Sequence, residues 1–133
     1  MKKSDGSFGL DHDRPQSVGR LRAFNGNFGM FIRAYTYIRE MGGDGLTRAS
    51  QLAVLNARYL WARLKDHYAA PVTQPCMHEV VLSDSRLEKE TGVKTLDVAK
   101  RLLDYGFHAP TVYFPLVVPG ALIIEPTETE TKE

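Results

Sequence analysis

The sequence predicts an α+β fold, with helices packed on one face of a small, mostly antiparallel sheet. Three observations carry that expectation. Apolar residues recur at steps of three and four through residues 27–67 and again through 96–105, the period of a helix with one buried side. Residues 76–83, 111–116 and 121–125 read instead as short strands. The second half therefore runs strand, helix, strand, strand, a layered arrangement in which helices cover one side of a sheet.

Residues 1–26 lack sustained periodicity. Glycines at 6, 9, 19 and 26, Pro15, and the basic residues Arg14, Arg20 and Arg22 read as an extended, loop-rich segment that needs a surface to lie against. A helix is expected over 27–41, where Phe28, Phe31, Ile32, Tyr35 and Ile38 form one apolar stripe. Asn27 is placed to cap its start and Gly42-Gly43 to stop it. Asp44 then caps a longer helix over 46–67. Its apolar side holds Leu46, Ala49, Ala53, Ala57, Leu60 and Leu64, and the other holds Arg48, Arg58, Arg63 and Lys65. Pro71 and Pro75 bracket a linker.

The strand over 76–83 puts Cys76, His78, Val80 and Leu82 on one face and Met77, Glu79, Val81 and Ser83 on the other. Asp84 caps a short helical turn ending at Gly92. Thr95 caps a third helix over 96–105, with Leu96, Ala99, Leu102 and Leu103 inward and Gly106 past its end. Strands over 111–116 and 121–125 follow, joined by the turn Val117-Val118-Pro119-Gly120. Pro115 marks the first of them as an edge or bulged strand. The domain organisation is then an irregular lead-in over 1–26, a small domain over 27–126 and a polar tail over 127–133 that frays.

With 133 residues, 43% hydrophobic and 25% charged, the chain suits one domain with a single core. It is too short for a complete two-domain cofactor enzyme. No run approaches the roughly 18 apolar residues that span a bilayer. The charged start at Met1-Lys2-Lys3 is not followed by the apolar stretch of a secretory signal. Cys76 is the single cysteine, which fits a reducing, cytoplasmic compartment. No membrane association is expected. Charge is uneven: residues 1–68 hold 11 Lys/Arg against 6 Asp/Glu, and residues 69–133 hold 6 against 10. The basic half suits a phosphate or carboxylate, or pairs with the acidic half or with another chain. It falls short of a nucleic-acid footprint, which wants a domain pI above about 9.

No stand-alone catalytic motif is present: no phosphate loop, no Gly-x-Ser-x-Gly elbow and no Cys-x-x-Cys. His78 and Glu79, adjacent on a strand, are expected on opposite faces, unable to pair directly or to share a metal ion. His78 reads either as a core histidine or as a catalyst. His12, His67 and His108 have no partner ligand at helical spacing, so no metal is expected. Phe28, Phe31, Tyr35 and Trp61 sit at core spacing and read as packing rather than as base-stacking platforms.

Several segments together resemble one family. They are Asp13-Arg14-Pro15-Gln16-Ser17-Val18-Gly19-Arg20, Phe24-Asn25-Gly26-Asn27-Phe28-Gly29, Arg33-Ala34-Tyr35-Thr36-Tyr37-Ile38-Arg39, Ala53-Val54-Leu55-Asn56-Ala57 and Cys76-Met77-His78-Glu79. Gly92 to Asp104, Pro110 to Leu116 and Ile124 to Glu130 complete the set. In order and density these resemble the C-terminal part of the P-protein of the glycine cleavage system, most closely the second subunit of its two-chain form, from about residue 10 onward.

The resemblance implies the C-terminal small domain of a fold-type-I pyridoxal-phosphate enzyme, glycine dehydrogenase (decarboxylating). Glycine is its substrate, and the aminomethyl group left after decarboxylation passes to the lipoyl arm of the H-protein. The first subunit of the P-protein is the implied partner, and no nucleic acid is expected. The Schiff-base lysine of the family lies in a His-Lys-Thr context. None of the seven lysines here does; Lys94 precedes Thr95 but follows Val93. The chain is therefore expected to be a fragment with no catalytic residue of its own, no bound cofactor and no activity alone. Arg20, Arg22, Asn25, Asn27 and His78 are the residues expected to face substrate or cofactor in the intact enzyme. The competing expectation is a non-enzymatic α+β module for interaction or dimerisation.

Overall fold

The computed structural model describes residues 1–21, 25–72 and 74–132. They fall into two compact units, Met1–Glu40 and Met41–Glu133. The first unit opens with a tight return of the chain. The Met1 ammonium donates to the Gly9 carbonyl at 2.8 Å, and Lys2 bridges Phe8. At its tip the Asp5 carboxylate accepts the Ser7 hydroxyl at 2.7 Å and the Ser7 N–H at 2.9 Å. Those donors favour the ionised form and hold the Asp5 carboxyl below the usual carboxylate range. Turns and bends then lead to helix α1, Phe28–Leu64. Asn27 precedes its first turn, and the Asn27 carbonyl accepts the N–H of Met30 and of Phe31.

The expected stop at Gly42-Gly43 holds: the range Phe28–Leu64 is two helical stretches joined at a kink, where Gly42 leaves helical geometry at φ 61° and ψ −175°. Helix α1 differs from expectation in two other ways. Asp44 lies within the helical residues after the kink rather than before them as a cap. The end comes at Leu64, not at residue 67. One glycine absorbs the whole interruption, because a residue without Cβ adopts that conformation at no steric cost. The second difference concerns packing. Phe28, Phe31 and Tyr35, expected in a core, are exposed. Trp61, in the second unit, does pack against the core.

The second unit holds β1 (Val80–Ser83), α2 (Ser85–Thr91), α3 (Thr95–Asp104), β2 (Thr111–Val112) and β3 (Ala121–Ile124). The sheet order is β1-β3-β2 with both pairings antiparallel. The antiparallel α+β expectation thus holds, and β2, the strand before Pro115, lies at an edge. The strands are shorter than expected for identifiable reasons. In register, Val80 faces Ile124, so position 78 would face Pro126, which has no N–H for the ladder. Arg58 Nε also donates to the Cys76 carbonyl at 3.1 Å. Residues 76–79 are therefore a bent approach to β1. Strand β2 ends because Tyr113 turns to φ 57°, a left-handed conformation rare outside glycine. The Phe114–Pro115 peptide is cis.

The core is one cluster. Leu82, Leu122 and Val112 form a row across the three strands, with Val80 and Ile124 beside them. Ala57, Leu60, Trp61 and Leu64 of α1 and Val98 of α3 cover that cluster. Along α3, Ala99 is buried and Val98 and Leu102 are half-buried, while Leu96 and Leu103 point outward against expectation. The inward side of this short helix is set by Thr95, which is 1% exposed and anchors the first turn. Lys94, not Thr95, is its N-cap residue, and its N–H donates to Asp97 at 3.0 Å. The tail is tied down rather than frayed. Asn56 Nδ2 donates to the carbonyls of Thr127 and Glu130 at 2.9 and 3.2 Å, and Pro126 is buried.

Candidate functional site

Polar side chains gather at both ends of the sheet. At one end they are buried and structural. Asp84, 3% exposed, receives the Thr95 N–H at 2.6 Å. The Thr95 hydroxyl donates to the Gly120 carbonyl at 2.6 Å, and the Ser83 hydroxyl donates to the Pro119 carbonyl at 2.7 Å. Asp84 was expected to cap α2, and it does precede that helix, but its carboxylate turns to α3 instead. No buried side-chain polar atom among the described residues lacks a partner. With every group satisfied, this end holds α2, α3 and the β2–β3 loop together and has no donor to spare for a ligand.

The opposite end is open. His78 Nε2 lies 3.8 Å from a Glu79 oxygen and 3.9 Å from a Glu125 oxygen. One ligand atom from each of the three falls within 4.8 Å of the others, and all three residues are exposed. This overturns two expectations. His78 is not a core residue, being 53% exposed at its side chain. His78 and Glu79 are also on the same side, because strand alternation does not reach the bent residues 76–79. The trio can therefore approach a cation or a proton together. Chemically it offers one imidazole and two carboxylates to an ammonium or hydroxyl group. Glu125 was missed from sequence. The reason is that the antiparallel register of 80–83 with 121–124, which puts 125 opposite 79, is set by the fold.

Arg20, Asn25 and Asn27 lie in the first unit, all exposed, in the stretch leading to α1. Arg22 lies outside the described residues. A shallow groove in the second unit is lined by Tyr68, Val98, Leu102 and Tyr105, with Asp97 and Arg101 at its edge. Burial pushes the Tyr68 hydroxyl above its ordinary value. Arg101 stacks over Tyr105 at 4.9 Å and pairs with Asp104 at 3.0 Å, so its charge is engaged locally.

A Schiff-base lysine must be kept reactive by an apolar pocket or a neighbouring cation. All seven lysines here are exposed. Lys94 pairs with Glu88 at 3.5 Å, and Lys65 sits over Trp61 at 5.3 Å. The residues of this chain do not fit the covalent anchor of pyridoxal phosphate. No helix among the described residues is long and apolar enough to cross a membrane.

A family model described as glycine dehydrogenase, C-terminal domain, matches residues 49–133. Among curated relatives, the probable glycine dehydrogenase (decarboxylating) subunit 2 of Caldanaerobacter subterraneus subsp. tengcongensis is 59% identical over 133 residues, 100% of this chain and 27% of the relative. The protein of the same name from Exiguobacterium sibiricum is 60% identical over the same span. That from Chlorobaculum tepidum is 60% identical over 124 residues, 93% of this chain and 26% of the relative. The chain thus spans about a quarter of the length of the curated relatives it matches.

Proposed function

This chain belongs to the glycine dehydrogenase C-terminal domain family, and from that premise we propose that it works as the C-terminal part of the second subunit of a two-chain, decarboxylating glycine dehydrogenase. The observation that supports this reading is a match running through every residue of the chain at 59% identity. In the proposed enzyme glycine loses its carboxylate, and the aminomethyl group passes to the lipoyl arm of an H-protein. The first subunit of the P-protein completes the assembly in the cytoplasm. Pyridoxal phosphate, when bound, supplies the electron sink for the carbanion left by decarboxylation.

This chain's own part is binding and positioning. Arg20 and Arg22 suit a carboxylate, since a guanidinium donates two parallel hydrogen bonds to it. Asn25 and Asn27, near them in sequence, add amide donors and acceptors. His78, set between Glu79 and Glu125, offers a donor or acceptor near two carboxylates. None of its lysines fits the anchor role, which falls to another part of the proposed enzyme.

The test is a chimera in which these 133 residues replace the matching segment of the Caldanaerobacter subunit. Assembled with the first subunit, pyridoxal phosphate and H-protein, it is expected to release CO2 from carboxyl-labelled glycine. A folded, cofactor-loaded chimera without that activity refutes the reading.

A further inference from the structure

The first half of α1 carries an apolar surface that none of the described residues of its unit buries. Phe28, Met30, Phe31, Ile32, Tyr35, Tyr37 and Ile38 are each between 46% and 65% exposed. At about 100° per residue these positions occupy well over half the circumference of the helix. The polar sector is a narrow strip of Arg33, Thr36 and Glu40, and Arg39 stands at the C-terminal end of the apolar side. Among the described residues, the buried hydrophobic ones all lie from Ala57 onward, outside the first unit. Its described residues form no core with which to cover the helix.

A helix apolar over more than half its circumference needs cover on that broad side. Exposed patches of this extent mark interaction surfaces. The width of the patch also chooses the occupant. Two copies of one helix face cover a single side of each other, because a two-fold contact buries the same patch on both partners. A surface reaching past half the circumference needs a groove with walls. The relatives supply the material for one, being nearly four times the length of this chain.

We propose that Phe28 to Ile38 insert into an apolar groove formed by the remainder of the glycine dehydrogenase subunit, with the Arg33, Thr36 and Glu40 strip left at the groove mouth. The inference rests on the functional reading above. The helix is the anchor that joins this segment to the rest of the enzyme, and on this reading its apolar surface serves docking within one enzyme rather than dimerisation.

The experiment is hydroxyl-radical footprinting read by mass spectrometry, on the 133-residue chain and on the chimeric subunit described above. Phe28, Phe31, Tyr35 and Ile38 are expected to oxidise readily in the chain alone and to lose most of that reactivity in the chimera. The polar strip is expected to stay open to solvent. A companion chimera carrying Tyr35→Glu and Ile38→Glu is expected to leave the stripe reactive again. If the chimera turns over glycine and its stripe stays reactive, the docking proposal fails while the functional reading stands. If it is inactive and its stripe is reactive, both fail. Protection in the chain alone that grows with its concentration overturns the proposal in favour of a second copy.

Discussion

Gly120 shows how one position constrains the second unit. It sits at φ 59°, and a Cβ placed there would overlap the Asp84 carboxylate. Its carbonyl also accepts the Asp84 N–H at 3.2 Å and the Thr95 hydroxyl at 2.6 Å. Gly120→Ala therefore combines backbone strain with overpacking and is expected to lower stability by about 3 kcal/mol, as read from the urea midpoint. Tyr68 sets a different dependence. Its pKa is raised above the ordinary 10.0 because burial disfavours the phenolate. A raised folded value means that the contribution is complete below the unfolded pKa and is lost as pH rises through the folded one. Melting temperature should accordingly hold to about pH 9 and fall more steeply above pH 10 than in Tyr68→Phe. Equal slopes in the two proteins would discount the burial of this hydroxyl.

At the scale of elements, α1 and the sheet divide the work. The interruption at Gly42 has a backbone geometry that side chains with Cβ resist. Gly42→Ala is expected to cost about 1–3 kcal/mol, measured by chemical denaturation. No loss would mean that the kink does not need a glycine. The row Leu82–Leu122–Val112 ties three strands to one cluster. Leu82 is fully buried, so Leu82→Ala should remove about 2–5 kcal/mol, seen as a lowered thermal midpoint. Periodicity was enough to find α1, α3 and the sense of the sheet. It missed the ends of β1 and β2, because those depend on Pro126, Arg58 and Tyr113 acting across the fold rather than along the chain. The same limit hid Glu125 beside His78, which only the β1–β3 register reveals.

For the whole molecule, the expected carboxylate-binding role of Arg20 is tested in the assembled chimera. Arg20→Ala should raise the glycine KM by about tenfold or more, the scale of a lost charge-assisted contact, whereas His78→Ala should lower kcat. Unchanged kinetics in both would move the substrate contacts elsewhere. The sequence by itself determined the α+β class and the family, through local periodicity and ordered motifs. It also places none of the seven lysines in the His-Lys-Thr context that the family resemblance implies for the Schiff base. Only the tertiary structure decided which apolar residues are buried. Phe28 and Leu60 look alike as positions on a helical stripe, yet Leu60 meets the sheet while Phe28 stays exposed. Burial depends on having a second surface in contact, and helical spacing specifies only the first.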